Sequence, residues 1–272
     1  MSMPRLAFDE LPAAARQAVT IQTGQITATH TAGGGINSAI AALLDTETGP
    51  VFVKGIPADN PQAASQKREI AISPHLPAAC PRLLWHVEAG GWVLLGYEAV
   101  DGRHADYSTT DDLTLVLAAL AELQEVTAPD DVDLKTAEER WGKYTEEGQA
   151  ELFAGDALLH TDFAPDNVLI HGGRARLIDW AWPTRGAAWI DPFMLALRIM
   201  EAGATAAQAV LWVQHVPSWR ESDPKALGAF AAAVTRLWRE IAAEDPAPWK
   251  VAMAGHAAQL KTFLLVMPGR HS

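Results

Sequence analysis

His160-Thr161-Asp162-Phe163-Ala164-Pro165-Asp166-Asn167 is followed, twelve residues past Asn167, by Ile178-Asp179-Trp180. Between them, Val168-Leu169-Ile170 and Ala175 to Ile178 are apolar, β-favouring runs on either side of the turn His171-Gly172-Gly173-Arg174, so the spacing predicts a hairpin. That hairpin carries Asp162, Asn167 and Asp179 to one edge. Two acidic groups and an amide oxygen so placed can bind magnesium and orient a hydroxyl, because hard cations prefer oxygen ligands and share them with phosphates. Phosphoryl transfer needs that combination.

Upstream, short Thr- and Val-rich pieces alternate with turn signals: Ile26 to Thr31, Gly33-Gly34-Gly35, Asn37 to Leu44, Thr48-Gly49-Pro50 and Val51 to Lys54. The pattern predicts three consecutive strands. Asn60-Pro61 opens a short polar helix, about Pro61 to Ser73, and Arg82 to Val87 with Gly91 to Tyr97 predicts another hairpin. After Gly102 the apolar spacing becomes helical, first at Leu113, Val116, Leu117, Leu120 and Leu123, then over Pro192–Glu201, Ala204–His215, Pro224–Ala243 and Pro248–Val266. The expected fold class is therefore α+β: a small β-rich lobe over residues 1–100, a larger helical lobe over 101–272, and a crevice between them.

The pattern His-x-Asp-x-x-x-x-Asn, a strand pair, then Asp-Trp resembles the aminoglycoside phosphotransferase and choline kinase-like family, a branch of the protein-kinase-like fold. The resemblance implies that Asp162 is the catalytic aspartate for an acceptor hydroxyl and that Asn167 and Asp179 hold magnesium on the phosphates of ATP. His160 would fix the loop. It further implies that Lys54, the only lysine in the first sixty residues, contacts the α- and β-phosphates, with Glu69, fifteen residues on, as its ion-pair partner. In the glycine-rich turn, Gly34, Gly35, Asn37 and Ser38 would approach phosphate oxygens through backbone N–H groups. In the segment between the lobes, the carbonyl of Glu98 and the N–H of Val100 would read adenine. Asp191-Pro192 is present without a second aspartate nearby, so Asp191 is expected to prop the catalytic loop. Trp180 to Pro192 is too short for a protein-kinase activation segment.

Composition bounds the alternatives. With 272 residues, 49% hydrophobic and 20% charged, the chain reads as globular. A formal charge of −12 argues against nucleic acid or an anionic membrane surface as partner. Met1 to Pro12 lacks the basic start and apolar run of a signal peptide, and the longest charge-free stretch, Gln17 to Leu44, is too polar for lipid. The lone Cys80 fits a reducing compartment, so the expected location is cytoplasmic. No Gly-x-Ser-x-Gly elbow or zinc-ligand spacing is present.

Tyr97 to Asp156 holds 16 acidic and 4 basic residues, which accounts for the whole net charge. By the resemblance, Asp130, Asp131, Asp133, Glu138 and Glu139 would wall the acceptor side of the crevice; the other reading of the same run, and the favoured one, is a solvated face on two exposed helices. Val251 to Ser272 contributes no Asp or Glu, so the expected acceptor is neutral or modestly cationic: an aminoglycoside, amino sugar, amino alcohol or similar. Two other readings stand beside this one, a catalytically silent nucleotide-binding protein of the same fold and a kinase of a peptide hydroxyl.

Overall fold

The computed structural model of the chain describes residues 5–33 and 38–266. It opens with a helix that the sequence pattern does not announce, α1 (Ala13–Thr23), which follows Pro12 and ends at Gly24 with φ 71°. Its buried stripe is Ala15, Val19 and Thr23, too small and too polar to stand out as an apolar face. Strands β1 (Ile26–Thr31), β2 (Ile40–Thr46) and β3 (Val51–Pro57) lead to α2 (Ala63–Ile72), followed by the hairpin β4 (Leu83–Ala89) and β5 (Trp92–Glu98). These strands form one antiparallel sheet in the order β1-β2-β3-β5-β4.

Side chains alternate between the faces of a strand, and in β3 the alternation separates two environments. Val51 and Val53 join Ala15, Val19, Ile40, Leu44 and Leu94 in a core beneath α1, whereas Phe52 and Lys54 line a cavity on the other side. The sheet thus presents one dry face and one working face.

The second part contains β6 (Arg103–His104), α3 (Thr110–Gln124), β7 (Lys135–Thr136), α4 (Ala137–Trp141) and β8 (Ala157–Leu159). The expected hairpin follows as β9 (Val168–His171) and β10 (Arg174–Leu177), with β6 paired to its outer edge. Gly172 and Gly173 have φ 55° and 72°, the pair of left-handed residues that a tight two-residue hairpin turn requires. Then come β11 (Thr184–Gly186), α5 (Ile190–Glu201), α6 (Ala206–Val213), α7 (Pro217–Glu221), α8 (Pro224–Glu244) and α9 (Pro248–Val266). The helix expected over Ala204–His215 is shorter at both ends, because Thr205 serves as its cap, and Pro217 starts a separate turn of helix. Among the described residues no helix is long and apolar enough to cross a membrane.

The helical core converges on Phe230 of α8. Its ring lies edge-on to Trp141, Phe153, Trp189 and Phe193, with centroids 5.0, 5.1, 5.3 and 5.0 Å away. One side chain therefore ties α8 to α4, to the turn before β8 and to the start of α5, in the edge-to-face geometry that aromatic quadrupoles favour. Replacing it should be felt by all of them at once: Phe230→Ala is expected to lower the unfolding free energy by about 3–5 kcal/mol, measured by urea denaturation.

Candidate active site

Lys54 is only 8% exposed, and burial by itself would push its amine toward the neutral form. Two carboxylates outweigh that. Nζ lies 2.6 Å from Glu69 Oε2 on α2 and 3.0 Å from Asp179 Oδ1 in the loop after β10, so the pKa of Lys54 rises and the ammonium is retained. Glu69, buried in turn, accepts the Tyr97 hydroxyl at 3.0 Å. Burial, reinforced by the charge of Glu69, drives Tyr97 well above the ordinary phenol range and keeps it a donor.

Thr161 and Asp179 have φ 68° and 64°, the left-handed region that costs an ordinary L-residue roughly 1–2 kcal/mol. Both are tied down. Asp179 is held by Lys54, whereas Thr161 is held twice: its N–H donates to Asp191 Oδ1 at 2.9 Å, and its hydroxyl accepts Arg140 Nη1 at 2.6 Å. The same Arg140 nitrogen reaches Trp182 O at 3.0 Å and Thr184 Oγ1 at 2.9 Å, which fixes the chain beyond Asp179 to the loop that holds Asp162.

Asp191, in the first turn of α5, also accepts the His160 N–H at 2.9 Å. Burial pushes its pKa up to about 7 against the pull of those two backbone donors. His160 is buried as well, and burial lowers its pKa and holds it neutral. Its Nε2 lies 2.9 Å from Ile178 O and its Nδ1 is 3.3 Å from the Asp162 N–H. The network therefore assigns the proton to Nε2 and leaves Nδ1 as acceptor.

The Asp162 side chain is 40% exposed. Its Oδ1 takes the Ala164 N–H at 3.2 Å and Arg198 Nη2 at 3.1 Å, and Arg198 in turn pairs with Glu201 at 2.9 Å. Asn167 Nδ2 donates to the Asp162 carbonyl at 3.3 Å, and Asn167 O accepts the Ile178 N–H at 2.9 Å. With its amide nitrogen so engaged, Asn167 has its amide oxygen left as a ligand.

A cavity of about 420 Å³ brings together Lys54, Glu69, Asn167 and Asp179 at a polar end, with walls from Leu43, Phe52, Leu169 and Ile178. Ser38, Glu98 and Val100 also line it. The Glu98 carboxylate is engaged by Arg176 at 3.4 Å and Arg82 at 3.8 Å, so its side chain braces the segment between the lobes. Gly34, Gly35 and Asn37 lie outside the described residues. Among the described residues no group of three or more His, Cys, Asp or Glu is placed to hold a metal. A carboxylate and one amide oxygen at the polar end suit an ion that completes its shell with phosphate oxygens, so Asn167 and Asp179 fit magnesium on a nucleotide.

Tyr97, Arg140 and Arg198 escaped the sequence reading. Arg198 left one usable signal, its position seven residues after Asp191 and hence on nearly the same face of α5. Several carboxylates of the acid-rich segment are committed to partners. Asp112 is bidentate with Arg103 at 2.5 and 2.7 Å, Glu122 pairs with Arg174 and Asp130 with Arg185, each at 2.6 Å, and Glu139 accepts the Thr136 N–H that caps α4. Asp130 and Glu139, two of the carboxylates expected beside the acceptor, are thus engaged elsewhere. The charged contact of Asp162 itself is Arg198.

No protein-family profile and no curated protein sequence matches the chain. Solved structures do. A thermostable mutant of the aminoglycoside phosphotransferase APH(4)-Ia, in ternary complex with AMP-PNP and hygromycin B, aligns with a TM-score of 0.63 at 13% identity, over 90% of this chain and 97% of that one. The chain has the fold of the aminoglycoside phosphotransferases. An aminoglycoside phosphotransferase from Alicyclobacillus acidocaldarius gives a TM-score of 0.53 at 15% identity over 92% and 94% of the two chains, and LicA in complex with AMP gives 0.55 at 13% over 91% and 96%.

Within this aminoglycoside-phosphotransferase fold, Asp191 offers a direct check on the catalytic loop. An unfolded aspartate titrates near about 3.9, so a folded value of about 7 means that the charged form opposes folding and that stability is regained as the pH falls. Lowering the pH from about 8 to about 5 should therefore raise the urea midpoint of the wild type more than that of Asp191→Asn. Equal shifts would show that Asp191 does not titrate in that window.

Proposed function

We propose that the protein is an ATP- and magnesium-dependent phosphotransferase that transfers the γ-phosphoryl group to a hydroxyl of a small molecule. The observation that carries the reading is the Lys54–Asp179 contact at 3.0 Å inside the cavity that Asn167 also lines, with the part-exposed Asp162 joined to Asn167 by a hydrogen bond. The neighbours of similar fold support it, since APH(4)-Ia was crystallised with AMP-PNP and hygromycin B and LicA with AMP.

The apolar walls would take the adenine, read by the Glu98 carbonyl and the Val100 N–H, with Ser38 toward the phosphates. Lys54 would place its charge on the α- and β-phosphates while remaining fixed by Glu69. Asn167 and Asp179 would hold magnesium, which when bound offsets phosphate charge as the β–γ bond breaks. Asp162 Oδ1 carries both of that side chain's protein contacts, which leaves Oδ2 for the acceptor. The acceptor oxygen attacks the γ-phosphorus, the bond to the β–γ bridging oxygen breaks, ADP departs, and the hydroxyl proton passes to Oδ2. Most of the rate would come from positioning and charge. The single Cys80 is buried and unpaired, which fits a reducing compartment, and we place the reaction in the cytoplasm.

The test is ADP release across a panel of aminoglycosides, amino sugars, amino alcohols and nucleosides. With an active acceptor, Asp162→Ala should lower kcat by about 100- to 10,000-fold while leaving ATP affinity nearly unchanged. Turnover that survives this substitution would remove Asp162 from the mechanism.

A further inference from the structure

The chain carries 33 acidic and 21 basic residues, yet two part-buried guanidinium groups beside the Asp162 loop have no ion-pair partner among the described residues. Arg103, Arg174, Arg185 and Arg198 each form an ion pair. Neither Arg68 nor Arg140 does so with any described residue. Instead both lie against one indole. The Arg68 guanidinium carbon is 4.9 Å and that of Arg140 5.7 Å from the ring centroid of Trp182, which is 47% exposed.

The remaining donors of both groups can be counted. Arg68 spends Nε on Ala181 O at 3.2 Å, which leaves its two terminal nitrogens. Arg140 spends Nη1 on three oxygens, which leaves Nη2 and Nε. Burial brings Arg140 down to about 10, and the positive charge of Arg68 adds to that effect while Asp162 and Asp191 oppose it. Like charges at a half-exposed aromatic surface, with donors in hand and no carboxylate of the described residues in ion-pair contact with either, suit an anion. Planar guanidinium forks match phosphate and carboxylate oxygens.

We propose that Arg68 and Arg140 form a binding site for a small oxyanion, a phosphate or carboxylate group, with Trp182 as their shared wall. Arg140 bonds Thr161, the neighbour of Asp162, so the site borders the catalytic aspartate. The anion has two sources of the same chemistry: a group carried by the acceptor molecule, or a free ion. The site stands on its own geometry, and only the choice between sources rests on the phosphotransfer reading.

Calorimetric titration of the full chain with sulfate, standing in for phosphate, and with acetate tests the site, at constant ionic strength and with saturating ADP and magnesium to fill the nucleotide phosphate positions. Saturable binding is expected, weakened about tenfold or more by Arg68→Gln and partly retained by Arg68→Lys. Arg68→Gln leaves the Arg140 contacts to Thr161 and Thr184 in place. Absence of saturable binding, or equal affinity in the wild type and Arg68→Gln, overturns the site. Arg68-dependent anion binding in a chain that does not bind ADP would keep the site and remove the nucleotide reading.

The second measurement compares pairs of hydroxyl compounds that differ only in carboxylate against carboxamide, or in phosphate ester against free alcohol. An acceptor-borne anion gives the charged member the lower KM, raised about tenfold by Arg68→Gln with the neutral member unaffected. A free ion instead leaves the two members equal and makes the rate with either depend on added sulfate.

Discussion

A lysine ammonium cannot be withdrawn from water without an opposite charge to meet it, and the arrangement of the whole cleft follows from how Lys54 meets that condition. Its partners come from α2 and from the loop after β10, so the sheet, the helix beside it and the β9–β10 hairpin are oriented by one triad in which Lys54 and Glu69 are buried and Asp179 is part-exposed. Such a triad adds little net stability compared with an apolar substitute, but losing one member strands a charge at a cost of about 3–5 kcal/mol. Its value lies in specifying one arrangement. Tyr97 completes the set by donating to Glu69, and the alternation of β3 keeps the charge away from the core beneath α1.

The β9–β10 hairpin and the candidate site around it were legible because their signals are local: His160, Asp162, Asn167 and Asp179 fall within twenty residues, and the turn between the strands has glycines where left-handed backbone is required. The bounds of β1 and α9 could be read directly, since Thr-rich alternation and a proline start mark them. What stayed hidden was of two kinds. Helix α1 buries Ala15, Val19 and Thr23, so it lacks the apolar stripe that periodicity arguments look for, whereas the equally polar α2 was legible from its Asn60-Pro61 start. Tyr97, Arg140 and Arg198 act through partners 21 to 44 residues away, and nothing in their immediate sequence reports such contacts.

The charge balance shows a different limit. A net −12 describes the field far from the molecule and the partners it repels. Close to Asp162 the sign is decided by which carboxylates folding has already committed, and several of those between Tyr97 and Asp156 are committed to arginines. The total charge therefore does not set the charge balance at any one place on the surface.

Helix α5 carries Asp191 in its first turn and Arg198 two turns later, so one rigid rod grips the backbone of the catalytic loop at one point and the carboxylate of Asp162 at another. Their spacing along the axis, about 10.5 Å for seven residues, cannot change without breaking the helix. A small axial rotation or slide of α5 would accordingly alter the loop's anchorage and the charge on its aspartate in a single stroke. Because α6 and α9 pack on α5, the helix that sets the contacts of Asp162 is itself set by the packing of the helical lobe.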